Sequence, residues 1–281
     1  MSLTRKDFMK VAGLGLAAGM LPAGTSALMA QTAPPAKPLP LQLGLASYTL
    51  HKFPLDEAIK ITKRLGLTNI ALKDVHLPMQ STPEQISEVV SKMKAAGLNL
   101  YGGGVIYMKN EEEIKRAFNY AKQAGMQTIV GVPNHDLLPL VDKLVKEYNI
   151  KLAIHNHGPG DKVYPSPDTV FEKIKSLDKR IGLCIDIGHT QRIGQDPSKL
   201  ALKYADRLYD VHLKDVTGNT DKDKPLEVGR GVIDIPAFLK TLVKIKYQGV
   251  VALEYEKDAN DPVPGVAESI GYTKGVLRMI S

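Results

Sequence analysis

From residue 41 onward, short apolar segments alternate with amphipathic segments along the chain. The apolar segments have the length of buried strands, whereas the amphipathic segments repeat their apolar positions with the period of a helix. The pattern predicts eight strands, at residues 42–47, 69–72, 98–102, 128–132, 151–156, 181–185, 208–213 and 249–253. It predicts eight helices that alternate with them, at residues 55–65, 83–96, 111–124, 137–148, 168–177, 197–204, 235–245 and 265–280.

Proline and glycine mark several predicted helix ends independently of hydrophobicity. Thr82 followed by Pro83 is a helix-start signal, and helices would end at Gly66, Gly97 and Gly125. Eight strand–helix units in about 240 residues have the size and order of one closed (β/α)8 TIM barrel. We therefore predict a single α/β domain over residues 41–281, because an open doubly wound sheet would need fewer strands or a second domain.

The first thirty residues differ in composition from the rest of the chain. Three basic residues lie among the first ten, an apolar run follows at residues 11–21, and small residues lead up to Ala30. This arrangement predicts an export signal peptide over residues 1–30, cleaved near Ala30, because the apolar run is too short to span a bilayer. The mature protein is then expected in the periplasm without a stable membrane span. An uncleaved membrane anchor is the alternative.

The export signal has two further features. The residues around Arg5 resemble the twin-arginine motif, with Lys6 in place of the second arginine, so a protein that is already folded and metal-loaded could be the exported form. A linker with four prolines follows at residues 31–40, and such a composition favours a stiff, extended chain. Both segments are expected to lie outside the barrel.

Composition and charge narrow the functional classes. The chain is 43% hydrophobic and 24% charged, which is ordinary globular composition. Its 37 Lys and Arg residues against 30 Asp and Glu residues give a net charge of +7, but the basic residues are scattered and form no run that indicates nucleic-acid binding. Cys184 is the only cysteine, which excludes an internal disulfide framework and a cysteine-based zinc module.

Polar residues stand at the ends of the last four predicted strands. His155 and His157 close the fifth, Asp186 the sixth, His212 the seventh and Glu254 the eighth. Neighbouring barrel strands lie about 4.8 Å apart, so side chains at matched heights can converge on one ion. We predict one divalent transition metal bound by His155, Asp186, His212 and Glu254. Two nitrogen and two carboxylate ligands suit Mn, Fe, Co, Ni or Zn better than calcium.

Each candidate residue also has a purely structural explanation. A single Asp or Glu at a strand end is more often a cap than a ligand. His157 and His189 could orient a ligand, contact substrate or merely bond a loop carbonyl. Lys73 and Lys214 could be solvated at the barrel mouth. Arg230, which lies between two glycines, could reach a polar substrate, although this pattern also suits a tight turn alone.

Five segments at these strand ends carry a family resemblance. They are Ile-His-Asn-His-Gly at residues 154–158, Cys-Ile-Asp-Ile-Gly-His at 184–189, Val-His-Leu-Lys-Asp at 211–215, Gly-Arg-Gly-Val-Ile-Asp at 229–234 and Tyr-Gln-Gly-Val-Val-Ala-Leu-Glu at 247–254. From residue 41 to the C-terminus, the chain resembles the sugar phosphate isomerase/epimerase superfamily of xylose isomerase-like TIM barrels. That superfamily includes ketose 3-epimerases, inosose dehydratase and endonuclease IV.

The resemblance implies one divalent metal at the barrel mouth. Asp186, His212 and Glu254 fall on the family's ligand positions of strands six to eight, and His189 matches a histidine that contacts substrate. Two positions depart from the ketose epimerases, which carry glutamate on strands two and five. This chain has Ala71 and His155 there, so an imidazole replaces one of the two bases that exchange protons across a ketose.

The implied chemistry begins by removing a proton next to a carbonyl, with the metal stabilising the enediolate oxygens. Reprotonation on carbon makes the protein an isomerase or epimerase of a sugar or keto-sugar. Loss of a β-oxygen makes it a dehydratase or lyase that acts on a keto-sugar, keto-glycoside or cyclitol. We expect Glu254 to anchor the metal and act as the base, and His157, His189 or Lys214 to transfer protons on the opposite side.

Other readings of the same residues stay open. A non-catalytic sugar-binding barrel is the second alternative, whereas an endonuclease IV-type nuclease would need a three-metal cluster with more His and Glu ligands. Substrate contacts are expected from His189, Arg230 and Lys73. The chain has no tryptophan, so a platform that stacks on a sugar would use Tyr48, Tyr101, Tyr107 or Tyr255.

Overall fold

Eight parallel strands close into a barrel in the computed structural model, which describes residues 38–280. The strands follow one another around the barrel in chain order, and the last pairs with the first. The predicted single (β/α)8 barrel is confirmed. The predicted export signal, residues 1–30, and residues 31–37 of the predicted linker lie outside the described residues.

All eight predicted strands are present. They are β1 Gln42–Ala46, β2 Asn69–Leu72, β3 Asn99–Met108, β4 Thr128–Pro133, β5 Lys151–His155, β6 Ile181–Asp186, β7 Leu208–Leu213 and β8 Val250–Leu253. Seven of them match the predicted bounds to within one residue at each end. A two-stranded antiparallel ribbon, Asp215–Val216 with Pro225–Leu226, lies in the connection after β7.

The eight predicted helices are also present, with ends that differ by at most three residues. In chain order, the α-helices are α1 Leu55–Arg64, α2 Pro83–Ala95, α3 Glu111–Gln123, α4 Leu138–Tyr148, α5 Pro167–Ile174, α6 Ile187–Arg192, α7 Pro197–Lys203, α8 Ile235–Lys244 and α9 Val263–Ile280. Only α6 was not expected. Within residues 38–280, no helix is long and apolar enough to cross a membrane.

Two local differences from the predicted pattern bear on the site. Strand β3 continues through three consecutive glycines to Met108, and its register with β4 shifts between Gly103 and Ile106. Helix α6 begins directly after β6 because the Asp186 carboxylate accepts a hydrogen bond from the backbone N–H of His189, 2.8 Å away. Apolar periodicity does not predict the extension of β3, because glycines interrupt it, or α6, because that helix has only six residues.

The helix ends follow the local signals in the sequence. Thr82 caps α2 in a reciprocal capping box with Gln85, as the Thr-Pro pattern indicated. Gly66, Gly97 and Gly125 follow helices with φ of 65°, 70° and 66°, a left-handed conformation that glycine adopts without steric cost. Each of these glycines ends a helix a few residues before the next strand begins.

The barrel wall separates two apolar regions. Outward-facing strand residues such as Leu183 and Ile185 pack with fully buried helix residues such as Phe238 in the main core. The strand residues that form the smaller buried clusters inside the barrel are mostly small, among them Ala46, Ala71, Ala153 and Ala252. Tyr101 also belongs to this interior. The polar groups at the barrel mouth therefore rest on a layer of small side chains.

Helix α7 offers a matched test of this packing. Leu200 is buried in the main core with 7% exposure, whereas Leu202 on the same helix is 51% exposed. Leu200→Ala should lower the free energy of unfolding by about 2–5 kcal/mol, because it removes buried methyl groups and leaves a cavity. Leu202→Ala should change it by no more than about 0.5 kcal/mol. Urea unfolding of both variants measures the difference, and equal losses would contradict the assigned packing.

Candidate metal centre

Four side chains from neighbouring strands converge at the carboxyl ends of the barrel. His155, Asp186 and His212 lie in β5, β6 and β7, and Glu254 follows β8. One ligand atom from each lies within 4.8 Å of those of the other three. His212 Nδ1 is 3.1 Å from His155 Nε2 and 3.0 Å from Glu254 Oε2. The structure thus brings together all four residues of the predicted metal site.

Burial and neighbouring charges set the ionisation of the cluster. Burial lowers the pKa of His155 to about 3, so this imidazole is neutral and keeps a lone pair for a ligand. Burial alone would raise the pKa values of Asp186 and Glu254, but the Lys214 ammonium and nearby imidazoles hold both well below their usual range. Burial opposes the positive charge of His212, yet Cys184 and Glu254 raise its pKa well above the ordinary value, so a metal ion would bind this imidazole in place of one proton.

The donor set fits a divalent transition metal. It combines two imidazole nitrogens with two ionised carboxylates, and all four residues are buried. Among residues 38–280, Asp186 Oδ2 has no hydrogen-bond partner, although it lies 3.5 Å from His155 Nε2 and 3.1 Å from Lys214 Nζ. A buried carboxylate oxygen without a hydrogen bond is costly unless another group satisfies it. A metal ion in the cluster would do so.

Lys214 neutralises much of the remaining negative charge. Its buried ammonium lies 2.8 Å from Glu254 Oε2, 2.8 Å from Glu256 Oε2 and 3.1 Å from Asp186 Oδ2. The solvated lysine considered from the sequence is therefore not observed. Glu256 was missed as a candidate, although it follows Glu254 at the spacing that returns a strand side chain to the same face.

A cavity of about 250 Å³ opens above the cluster. Several predicted residues border it: His157 and His189 beside the cluster, and Lys73 on the opposite wall. Tyr48, Val105, Tyr107 and Glu256 complete the lining together with His155, Lys214 and Glu254. All the lining residues except Val105 have side chains that can form hydrogen bonds, and two of them are tyrosines, which suits a small polar molecule with several hydroxyl groups.

His157 forms a hydrogen bond with Tyr107 and lies near Asp161. Its Nε2 lies 2.9 Å from the Tyr107 hydroxyl, and its Nδ1 lies 3.7 Å from Asp161 Oδ2. Tyr107 reaches this position only because β3 extends beyond the predicted end at residue 102. The tyrosine was considered as a sugar-stacking residue, but the extension of the strand that brings it to His157 was not predicted.

Of the other residues predicted to contact substrate, some lie at the cavity wall and others are buried away from it. His189 Nε2 is 4.0 Å from Asp186 Oδ2, and the Lys73 ammonium donates to the Val105 carbonyl at 2.5 Å, so both lie at the cavity wall. Of the tyrosines proposed for stacking, Tyr48 and Tyr107 line the cavity. Tyr101 and Tyr255 are buried, and their hydroxyls bond Asp210 and Glu227 instead.

Arg230 is not brought to the cavity. Its guanidinium forms a two-point pair with Glu268 of α9, and the side chain is 59% exposed. The loop around it is organised by buried Asp215, whose carboxylate accepts hydrogen bonds from the backbone N–H groups of Gly229, Gly231 and Ile233. A Cβ atom at Gly231 would collide with Asp215, so the glycine is required there by close packing.

Comparison with known sequences identifies the family. Residues 59–276 match the sequence profile of a family described as xylose isomerase-like TIM barrel. The chain belongs to this family. The superfamily inferred from the motifs at the strand ends is thereby confirmed.

Relatives with a named activity match this chain over part of their length. An inosose dehydratase from Clostridium beijerinckii is 26% identical over 162 residues, which is 52% of each chain. The chain spans about half the length of the curated relatives that it matches. Among solved structures, a D-tagatose 3-epimerase-like protein superposes with a TM-score of 0.71 at 18% identity, covering 85% of this chain and 98% of the other.

A second solved structure is that of the IolI protein with a bound zinc atom. It superposes with a TM-score of 0.70 at 15% identity, covering 86% of this chain and 99% of the other. At these identities the two superpositions establish a shared fold. Several relatives and structural neighbours are named as enzymes of sugars or related polyols, among them inosose dehydratases and an L-ribulose 3-epimerase.

The loop after β7 provides a test of the Asp215 assignment. Asp215→Ala leaves the backbone N–H groups of Gly229, Gly231 and Ile233 without their charged acceptor and should lower the free energy of unfolding by about 3 kcal/mol or more. Arg230→Ala removes only an exposed ion pair and should change it by no more than about 1 kcal/mol. Urea unfolding measures both values. A larger loss in the Arg230 variant would contradict the role given to Asp215.

Proposed function

We propose that this protein is a divalent-metal-dependent enzyme that removes a proton next to the carbonyl of a sugar or keto-sugar and isomerises or epimerises it. One observation carries the proposal: two imidazoles and two ionised carboxylates converge beneath a cavity whose lining side chains, except that of Val105, can form hydrogen bonds. When bound there, a divalent ion would supply Lewis-acid polarisation of a substrate carbonyl or hydroxyl. The zinc atom named for the IolI structure supports the choice of a transition metal.

The surrounding residues divide the proton chemistry. Glu254 is ionised and borders the cavity, so it can take the proton next to the carbonyl. Lys214 is kept cationic by three carboxylates and faces the same space, where it can stabilise a developing oxyanion. His157 and His189 line another part of the wall and can carry protons between substrate hydroxyls and solvent.

A dehydratase or lyase is the second candidate, and the inosose dehydratase relatives favour it. In that reaction the base takes the proton next to the carbonyl, the C–H electrons form a carbon–carbon double bond, and the β C–O bond breaks. The departing oxygen leaves as water or an alcohol after it receives a proton. The replacement of a second carboxylate base by His155, with Ala71 on β2, fits a reaction with one carboxylate base.

The proposal also includes the cellular compartment, the periplasm. A periplasmic location, which the N-terminal composition suggests, would supply unphosphorylated sugars, keto-glycosides or cyclitols as substrates. The cavity lining agrees with a neutral polyol, since its two lysines are already engaged by Val105 and by the carboxylates around the metal cluster.

Metal content tests the site directly. The purified full chain, reconstituted with Mn, Co or Zn, should hold about one equivalent of metal by elemental analysis. His212→Ala and Glu254→Ala should lose it, because each removes one of four ligands. Arg230→Ala, which alters an exposed residue far from the cluster, is the matched control and should retain metal. A folded wild-type chain that takes up none of these metals would contradict the proposed enzymatic function and favour a non-catalytic sugar-binding barrel.

Hydrogen exchange in deuterated water tests the chemistry. The metal-loaded protein should place deuterium on the carbon next to the carbonyl of at least one compound in a panel of ketohexoses, keto-glycosides and inososes. Lys214→Met should lower the exchange rate by about 10²–10³-fold, whereas Lys60→Met, at an exposed helix position, should not change it. Nuclear magnetic resonance identifies the product: a deuterated isomer supports isomerisation, and an unsaturated product supports elimination.

A further inference from the structure

The ring of His212 stands between two different polar environments. Its Nδ1 faces the metal cluster, 3.0 Å from Glu254 Oε2 and 3.1 Å from His155 Nε2. Its Nε2 faces the barrel interior, where Asp210 Oδ2 is 3.9 Å away. Only one ring nitrogen of a neutral imidazole carries the proton, so the surroundings decide which nitrogen offers a lone pair to the cluster.

Asp210 is an unusual residue to find at this depth. It precedes His212 by two residues on β7, so both side chains point into the barrel, and it has no exposed surface. The Tyr101 hydroxyl lies 3.3 Å and 3.5 Å from its two oxygens, and Cys184 Sγ lies 3.9 Å from Oδ2. Within residues 38–280, no lysine or arginine pairs with it.

The position of Asp210 is energetically unfavourable for an acid. An apolar side chain there would avoid the cost of burying a carboxyl group, as Ala153 and Ala252 do elsewhere in the barrel interior. The nearby donors to Asp210 are the backbone N–H of Val211, the Tyr101 hydroxyl at long distance and the weakly donating Cys184 thiol. They do not account for an acid at this site, whereas an imidazole that must keep its proton on the inner nitrogen does.

We propose that Asp210 is a positioning residue that keeps the proton of the His212 imidazole on Nε2, so that Nδ1 presents its lone pair to the metal. The inference rests on the metal site of the proposed function. The separation of 3.9 Å exceeds a direct hydrogen bond, so the carboxyl group acts through space: its acceptor oxygen faces Nε2 and favours the tautomer with a proton there. Tyr101 holds the carboxyl group in place from the opposite side of the interior.

Cys184 is the competing explanation for the inner side of His212. A ligand atom of Cys184 lies within 4.8 Å of one from His155 and one from His212, so a deeper ion could use a thiolate. In that arrangement His212 would bind metal through the inner nitrogen and Asp210 would be incidental. The two explanations assign opposite nitrogens of the same ring to the metal.

Zinc affinity of variants separates the two explanations. The dissociation constant for Zn²⁺ is measured on the full chain by competition with a chelating dye, with circular dichroism as the check of folding. Asp210→Ala should weaken binding by about 10–100-fold, the usual effect of losing the partner of a ligating histidine. Asp210→Asn, whose amide oxygen can face Nε2 from the same place, should restore most of the affinity. Cys184→Ala is the matched interior control and should bind zinc as the wild type does.

Nitrogen NMR of the zinc-loaded wild type adds a measurement that needs no variant. The ¹⁵N shifts of His212 should show a proton on Nε2 and zinc on Nδ1. A proton on Nδ1 would overturn the inference even if Asp210→Ala does not fold. So would a folded Asp210→Ala variant with wild-type affinity, or a loss of affinity in Cys184→Ala alone. A wild type that binds no zinc or other metal would instead contradict the proposed function.

Discussion

Two ionised carboxylates buried side by side are the constraint on which the barrel mouth depends. Asp186 and Glu254 are withdrawn from water, and burying such charges is unfavourable unless cations or hydrogen bonds compensate them. Lys214 contacts both, and Glu256 extends the same network toward the cavity. A divalent ion among the four ligands would complete the compensation. The stability of this region and its chemistry therefore rest on the same charges.

The barrel interior below the cluster makes this arrangement possible. Small residues such as Ala153 and Ala252 line the barrel interior below the four candidate metal ligands. Tyr101 packs in the same buried cluster as Ala252. The interior also contains Asp210, directly behind His212. Groups that do not reach the cavity thus lie below the polar residues, while the residues above them line the cavity.

Strand order explains why the four candidate metal ligands could be predicted from the sequence. The carboxyl ends of parallel barrel strands meet at one face, so polar residues that end consecutive strands must lie near one another. His155, Asp186, His212 and Glu254 satisfied that condition, and the structure brings them together. The strands themselves were predictable because buried apolar runs and helix-ending glycines are local signals. Neither inference required knowledge of contacts between distant segments.

The sequence by itself determined the (β/α)8 barrel and the face on which its polar residues gather, since both follow from local periodicity and strand order. Tertiary structure alone decided which further residues border the cavity. The extension of β3 brings Tyr107 to His157, and the pairing of Arg230 with Glu268 directs that guanidinium away from the cavity. These outcomes depend on strand register and on charges far apart in the chain, and hydrophobic periodicity carries no information about either.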